Sequence, residues 1–249
     1  VRDRASVAAF QRSARDDIDA VEARGHLLII AGGSGLYVRA LTDDLDFPGT
    51  DPAVRSRLSE RAEREGTAAL RAELARLDPV AAERVEASNT RRIVRALEVI
   101  EITGRPFSAS LPRYEDIAPT VHIALRCERR LLDKRINERA RAMFEGGLVE
   151  EVEARIDQGI REGETAPRAI GYAQALAVID GTMSVTEAVD STALATRQLA
   201  SRQIKWFRRD PRLHWIDVAL TETGQCTDSE RSRLTRQAWE LVCTRRGVA

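Results

Sequence analysis

The sequence predicts a helix-rich α/β fold in which a parallel sheet carries an all-helical insertion. Three short apolar segments have the pattern of buried strands, and segments of helical periodicity separate them. Residues 47–111, by contrast, show helix signals almost throughout. The composition, 4% aromatic and 31% charged, is typical of a charge-rich helical protein rather than a sandwich or barrel. At 249 residues, the chain can bury a core without disulfides or metals.

The first predicted element is an amphipathic helix that Ser6 can cap. Its apolar residues recur at spacings of three and four until Gly25, namely Val7, Phe10, Ala14, Ile18 and Val21. Residues 26–31 then form a continuous apolar run, which predicts a strand buried on both faces of a parallel sheet. Helix, strand and the glycine loop that follows indicate half of a βαβ unit.

Residues 47–111 are predicted to form the insertion, because Asp51-Pro52 and Asp78-Pro79 each place a capping carboxylate before a proline. The sheet is predicted to resume at residues 120–126 and 213–218. The helices predicted between these strands are one ending at Gly146-Gly147, one around Tyr172, a short one capped by Ser184 and Glu187, and one over residues 191–209. We therefore assign residues 1–46 and 112–221 to a discontinuous α/β core, 47–111 to the insertion and 222–249 to a C-terminal tail helix.

Composition and spacing exclude several kinds of partner and site. The formal charge is zero, from 39 basic and 39 acidic residues, so a polyanion must be bound by a local concentration of arginine. Cys127, Cys226 and Cys243 are widely spaced without a Cys-x-x-Cys pair, which argues against a zinc site and a disulfide framework and favours the reducing cytoplasm. No apolar run reaches the roughly 18 residues that span a bilayer, so we expect no membrane partner.

A glycine loop, Gly32-Gly33-Ser34-Gly35, follows the first predicted strand and opens a helix. Glycines allow close approach to a ligand, and a helix N-terminus presents free N–H groups to an anion or a hydrogen-bonding substrate. The loop is neither a Walker A loop nor a dinucleotide fingerprint, because no Lys-Ser/Thr follows and the glycine spacing differs. A plain strand-to-helix turn explains the pattern equally well.

The helix predicted over residues 191–209 is the most polarised stretch of this neutral protein. At 100° per residue, one arc carries Arg197, Ser201, Arg202, Lys205, Arg208 and Arg209. A solvated helix face usually alternates in sign, so a stripe of one sign favours phosphate binding over a plain surface.

Two further arginine pairs have i,i+4 spacing. Arg91 and Arg95 lie opposite the apolar stripe of their helix and could bind a nucleic-acid backbone, although such a pair is more often a solvated surface. Arg135 and Arg139 could clamp a diphosphate, but nearby acids make a surface ion-pair ladder equally consistent. The three histidines border apolar strands, and we assign them structural roles and predict no metal ligands.

These segments, in this order, resemble the tRNA dimethylallyltransferases (isopentenyl-tRNA transferases). The resemblance runs from about Ser6 to Val218. Five blocks carry it: AGGSGLY at 31–37 with RAL at 39–41, NTRRIVRALEV at 89–99 with Thr103-Gly104, residues 135–143 with Gly147-Leu148, AIGY at 169–172, and TRQLASRQIKWFRR at 196–209.

The resemblance implies a P-loop-type α/β core with a helical insertion that contacts the tRNA anticodon stem-loop. In that family dimethylallyl diphosphate is the donor, Mg²⁺ assists the diphosphate, and N6 of the adenosine 3′ of the anticodon attacks the allylic carbon after leaving its stack. Ser34 matches a threonine whose hydroxyl touches the target nucleotide, which makes Ser34 the catalytic candidate.

The same residue-wise match implies tRNA contacts in both parts of the chain. In the insertion they are Arg55, Arg91, Arg92 and Arg95. In the core they are Ser34, Arg168, Gly171, Tyr172, Gln174, Ser201, Arg202, Gln203, Lys205, Trp206 and Arg208. Aromatic side chains beside positive charge suit a single-stranded loop.

Two parts of the family pattern are not found in the sequence: the Gly-x-x-x-x-Gly-Lys-Ser/Thr loop and the general-base aspartate. Because the chain begins at Val1 and a helix follows almost at once, we interpret it as lacking an upstream segment. We therefore expect this chain alone to be inactive, and the complete enzyme to be a monomer. The alternatives are a non-catalytic tRNA-binding module, and a P-loop kinase relative whose arginines clamp nucleotide phosphates.

Overall fold

The computed structural model of the protein describes residues 2, 5–110 and 114–246. The chain divides into two compact units. One, the α/β unit, consists of residues 1–38 and 118–249, and the other, the helical unit, is Arg39–Ile117. The predicted insertion falls within the helical unit, although Leu111, its last residue, lies outside the described residues.

Helices make up most of both units. In chain order they are α1 Val7–Glu22, α2 Gly35–Thr42, α3 Pro52–Glu65, α4 Thr67–Leu77, α5 Pro79–Arg84, α6 Thr90–Thr103, α7 Arg129–Glu145, α8 Leu148–Glu153, α9 Tyr172–Ile179, α10 Val185–Phe207 and α11 Asp228–Arg246. Short 3-10 helices occupy Phe107–Ser110 and Ala166–Arg168. Within the described ranges, none of the helices is both long and apolar enough to cross a bilayer.

The sheet of the α/β unit pairs β1, His122–Arg126, in parallel with β2, Leu213–Asp217. His122 lies opposite Leu213, and at the other end Arg126 Nε donates to Asp217 Oδ1 at 2.5 Å. Parallel strands require a long crossover, and here helices α7 to α10 supply it. The predicted α/β class and two of the three predicted strands are therefore confirmed.

The prediction of a strand at residues 26–31, the first in chain order, is wrong. This segment forms no helix and pairs with no strand among the described residues, and Ile29 is 80% exposed. A strand exists only through a hydrogen-bonded neighbour, and an apolar run cannot reveal whether that neighbour is present.

Helix α10 corrects a second expectation, since the two helices predicted between residues 184 and 209 are one continuous helix. Ser184 and Glu187 do form the predicted capping box, with Ser184 N donating to Glu187 Oε2 at 2.8 Å. No glycine or proline interrupts the following 23 residues, so nothing ends the helix before Phe207. The apolar face of α10 packs against α7 and α9, burying Ala188 and Ala193.

The helical unit is a bundle of α3 to α6 around its own apolar core, which includes Leu58, Leu70, Leu74, Ile93 and Leu97. Both predicted caps are confirmed. Asp51 Oδ1 accepts from Ala53 N at 2.8 Å, and Asp78 Oδ1 accepts from Ala81 N at 3.0 Å. Asp78 also accepts from Ser108 N at 2.7 Å, which ties the 3-10 helix to α5.

Candidate functional site

The glycine loop places Ser34 at the start of α2. The Ser34 carbonyl accepts the first helical hydrogen bond, from Val38 N at 3.0 Å, and the Ser34 side chain is exposed. Helix α1 supports this helix from below, because the ring of Phe10 packs 4.8 Å from that of Tyr37. The Ser34 hydroxyl is therefore exposed to solvent, and the helix that it precedes packs against α1.

Helix α10 lies directly against the glycine loop, although some 170 residues separate the two in sequence. Gln203 Nε2 donates to the Gly33 carbonyl at 2.9 Å, and a Cβ added to Gly33 would lie 2.5 Å from that nitrogen. A Cβ on Gly35 would overlap the indole of Trp206. Neither glycine has a positive φ, so the close approach of α10, and not an unusual backbone conformation, restricts side chains here. A Cβ would displace the indole of Trp206 at Gly35, and the flexible end of the Gln203 side chain at Gly33.

The predicted basic stripe of α10 is divided between two environments. Arg202, Lys205, Arg208 and Arg209 are exposed, and none of the four forms an ion pair with any described residue. Arg161 of the same unit, by contrast, is exposed but neutralised by Asp180 at 2.6 Å. An uncompensated group of cations on one helix attracts a polyanion.

The other two members of the stripe contact α7 instead. Arg197 donates to the side-chain carbonyl of Asn137, and Ser201 Oγ accepts from Arg129 Nη1 at 2.6 Å. Ser201 also donates to the Arg197 carbonyl at 3.0 Å. These polar contacts fasten α10 to α7.

The predicted contacts around Tyr172 have clear structural roles. Gly171 has φ of +96° and precedes α9, and Gln174 Oε1 accepts from its N–H at 2.9 Å. Gln174 also donates to Ser191 Oγ at 3.3 Å. The Tyr172 hydroxyl donates to Glu151, and this hydrogen bond is the main cause of the raised pKa of Tyr172. Arg168 is exposed at the end of its 3-10 helix.

The two arginines predicted to bind diphosphate lie on α7. Arg135 Nη1 donates to the Gly224 carbonyl at 3.2 Å, in the loop that precedes α11. Arg139 is exposed one turn later. Arg135 thus already holds a backbone group of the same unit.

In the helical unit, two predicted RNA-binding arginines share one buried carboxylate. Arg55 Nη2 and Arg95 Nη1 donate to Glu98 Oε2 at 2.6 and 2.9 Å, and Asp51 N donates to Oε1 at 3.0 Å. Arg95 also donates to the carbonyls of Pro48 and Gly49. Arg91 and Arg92 are exposed at the start of α6.

Glu98 has no exposed surface and is not among the site residues predicted from the sequence. Burial alone would raise its pKa, but hydrogen bonds from Arg95, Arg55 and the Asp51 N–H hold the pKa below its ordinary value. A signal was present, since apolar residues flank Glu98 on its own helix at Val94, Leu97 and Val99. A carboxylate so placed requires buried partners.

No cluster of potential metal ligands marks a site for Mg²⁺ among the described residues. They contain no group of three or more histidine, cysteine, aspartate or glutamate side chains that could hold a metal ion. Mg²⁺ at a diphosphate is usually held by only one or two carboxylates together with the phosphates themselves. We therefore derive no step from the metal.

The chain matches known proteins over most of its length. The IPP transferase family matches residues 1–210. A tRNA dimethylallyltransferase of Streptomyces coelicolor is 51% identical over 238 residues, which cover 96% of this chain and 74% of that protein. The corresponding protein of Thermobifida fusca is 53% identical over 239 residues, or 96% of this chain and 72% of that one.

Solved structures agree with the sequence comparisons. The full-length tRNA isopentenylpyrophosphate transferase of Bacillus halodurans superposes with a TM-score of 0.62 at 32% identity, covering 98% of this chain and 76% of that one. A eukaryotic dimethylallyltransferase, described as acting on tRNA, has a TM-score of 0.72 at 19% identity, covers 95% of this chain and 62% of that one, and shows the fold alone. Given the family match and these identities, the chain belongs to the IPP transferase family.

Proposed function

We propose that this chain serves transfer of a dimethylallyl group from dimethylallyl diphosphate to N6 of the adenosine directly 3′ of the anticodon in tRNA. One observation carries the proposal: exposed Ser34 lies on a loop seated against α10, whose four exposed cations have no acidic partner among the described residues. The Ser34 hydroxyl, a group that can bind a nucleoside, thus lies on a loop in contact with the helix whose cations can bind phosphates. The relatives named tRNA dimethylallyltransferase support the same activity.

In the proposed reaction, N6 of the adenosine forms a bond to the allylic carbon while the bond from that carbon to the diphosphate oxygen breaks. Diphosphate leaves with the bonding electrons, and the amine loses one proton. Ser34 Oγ orients the target nucleoside through a hydrogen bond. The base must first leave its stack, which an anticodon loop permits at lower cost than a duplex does.

Arg202, Lys205 and Arg208 are proposed to bind the RNA backbone in the α/β unit, with Arg209 beside them. In the helical unit the proposed contacts are Arg55, Arg91 and Arg92. Arg95 is less suited to RNA, because it already donates to two backbone carbonyls and to Glu98. Arg197 and Ser201 are likewise engaged with α7 or α10.

The donor side of the reaction needs groups that the sequence does not show. The chain has no Gly-x-x-x-x-Gly-Lys-Ser/Thr motif, and its two lysines, Lys134 and Lys205, follow no such loop. We propose that transfer requires this loop, a carboxylate base and Mg²⁺ bound with the diphosphate, with Arg139 as an additional phosphate contact. By itself this chain is then expected to bind tRNA without transferring the prenyl group. We propose the cytoplasm, where tRNA resides, as its location and a monomer as the active form.

The test is a transfer assay with labelled dimethylallyl diphosphate, Mg²⁺ and an unmodified anticodon stem-loop. It compares this chain with a polypeptide that also carries the phosphate loop, and a Ser34→Ala variant of the latter serves as the site control. Product from the longer polypeptide alone, much reduced by Ser34→Ala, is the expected result. Product from this chain alone would refute the proposed need for the loop.

Absence of product from both polypeptides, with RNA binding intact, would reject the transferase proposal in favour of a tRNA-binding module. Tight ATP binding without any affinity for the stem-loop would instead identify a kinase relative.

A further inference from the structure

We infer that Gln203 is a positioning residue: it fixes the orientation of the loop that presents Ser34, rather than contacting RNA itself. The inference rests on the proposed function for the role of Ser34, but the geometry of the loop is independent of that role. Gln203 is half-buried, whereas its neighbours Arg202 and Lys205 are exposed. Its amide is directed at the loop backbone.

The hydrogen bond from Gln203 acts on the peptide group that precedes Ser34. The peptide group that joins Gly33 to Ser34 is planar and trans, so its C=O and N–H lie in one plane and point in opposite directions. The 2.9 Å hydrogen bond that fixes the Gly33 carbonyl therefore also fixes the direction of the Ser34 N–H. The first N–H groups of a helix have no intrahelical acceptor. The orientation of Ser34 and of these free donors is therefore set from α10.

Trp206 restrains the other side of Ser34. Its indole covers Gly35 so closely that any side chain there would overlap the ring. Gln203 and Trp206 are three residues apart and thus share one face of α10. Ser34 is held between two glycines, each in contact with one of these side chains, while Gly32 has open space around it.

Polar contacts with α7 hold α10, the helix that supports the loop. Arg197 and Ser201, which lie six and two residues before Gln203, fasten α10 to α7. Helix α10 thus connects α7 to the glycine loop, because it contacts both. A displacement of about 1 Å at a reacting group can lower a rate a hundredfold, so this seating bears on catalysis as well as on stability.

The first test uses hydrogen exchange on the free chain, comparing the wild type with Gln203→Leu, which keeps the size and removes the donor. We expect faster exchange at Val38, the first amide of α2 with an acceptor, whose N–H donates to the Ser34 carbonyl, and little change elsewhere. Gln198→Leu is the matched control, because Gln198 is exposed on the same helix and makes no hydrogen bond to the loop. If exchange at the start of α2 were unchanged in Gln203→Leu, the inference would be overturned, regardless of whether the chain binds RNA.

The second test measures how the effects of two substitutions combine. Gly33→Ala should displace the Gln203 side chain, so the double variant Gly33→Ala/Gln203→Ala should exchange and react like Gln203→Ala alone. Strict additivity would mean that Gln203 does not act through Gly33 and would reject the inference.

The third test separates positioning from RNA affinity. In the polypeptide that carries the phosphate loop, Gln203→Leu should lower kcat by roughly ten- to a hundredfold. KM for the stem-loop and the salt dependence of its binding should remain unchanged, because no charge is removed. A rise in KM at constant kcat would instead identify Gln203 as an RNA contact. If the wild type fails to bind RNA, the proposed function fails, while the exchange result still decides the inference.

Discussion

Arg55 donates twice to Glu98 Oε2, from Nε at 3.1 Å and from Nη2 at 2.6 Å, and Glu98 has no exposed surface. Arg95 and the Asp51 N–H complete the environment of this carboxylate. The network joins α3, α6 and the turn before α3. Two guanidinium groups share one negative charge, so the network keeps a net positive charge for an anionic partner.

Removing the carboxylate should destabilise the helical unit strongly. Glu98→Ala leaves two arginines without their acceptor, and we expect a loss of about 3 kcal/mol, the lower end of the range for breaking a buried pair. Urea unfolding of the chain measures it. Glu101→Ala is the control on the same helix, because its pair with Arg57 is exposed and should contribute less than about 1 kcal/mol. Equal losses in both variants would contradict a special role for Glu98.

Stability should fall in acid, in part through Glu98. A carboxyl whose folded-state pKa lies below its unfolded value stabilises the fold above the unfolded value, here 4.5, and loses that effect as the pH falls through the folded pKa. Urea midpoints at pH 6 and pH 3.5 should therefore differ less in Glu98→Gln than in the wild type. An identical difference in both proteins would show that Glu98 does not titrate in this window.

Helix α11 should also be sensitive to acid. Hydrogen bonds from Arg233 and from Ala219 N, the latter at 2.8 Å, lower the pKa of Glu230 to about 2. Its contribution is present above 4.5 and is lost as the pH approaches 2. Trp239 lies on α11, so its fluorescence should report this loss, and Glu230→Gln should abolish the change in that range. If the fluorescence change persisted in Glu230→Gln, it would arise from a group other than Glu230.

Gly171 should tolerate alanine less well than Gly181 does. Both have positive φ, +96° and +69°, so each substitution strains the backbone by about 1 kcal/mol or more. A Cβ at Gly171 would also lie 3.2 Å from Met143 Cε and 3.4 Å from Leu148 Cδ2, whereas nothing lies within 4 Å at Gly181. We expect Gly171→Ala to be the more destabilising by about 1 kcal/mol in urea unfolding. The reverse order would contradict this packing.

Each exposed cation of α10 that binds a phosphate should contribute to the salt dependence of RNA binding. Replacing Arg202, Lys205 or Arg208 singly with glutamine should lower the slope of log Kd against log salt by about 0.7 to 1. Arg161→Gln removes the same charge from an arginine already paired with Asp180, and should leave the slope unchanged. If Arg161→Gln lowered the slope as much as the three α10 variants do, the slope would depend only on the net charge of the protein.

Local signals in the sequence predicted much of this structure correctly. Ser6, Asp51, Asp78 and Ser184 cap the helices that they were expected to cap, because a cap depends on residues only two or three positions away. The segments at His122 and Leu213 pair in parallel as expected. The exposed members of the α10 stripe followed from the helical period alone.

Contacts between distant segments could not be predicted in this way. No local pattern indicates that Gln203 meets Gly33, that Ser201 faces Arg129, or that Arg55 and Arg95 converge on one carboxylate. Residues 26–31 show the same difficulty, since their apolar pattern was clear and the pairing that makes a strand was absent among the described residues. Whether the predicted site residues contact RNA stays a prediction.

The pairing of β1 with β2 also fixes an order of assembly. Arg126 and Asp217, at the paired ends of these strands, are 91 residues apart, so the ladder closes only after the whole crossover has been synthesised. The helical unit, by contrast, is one uninterrupted segment whose helices mostly contact near neighbours in sequence. On the ribosome it can therefore fold while the second half of the α/β unit is still being made. During that interval the edge of β1 that later receives β2 is unpaired, and an unpaired strand edge is a place where another chain can add.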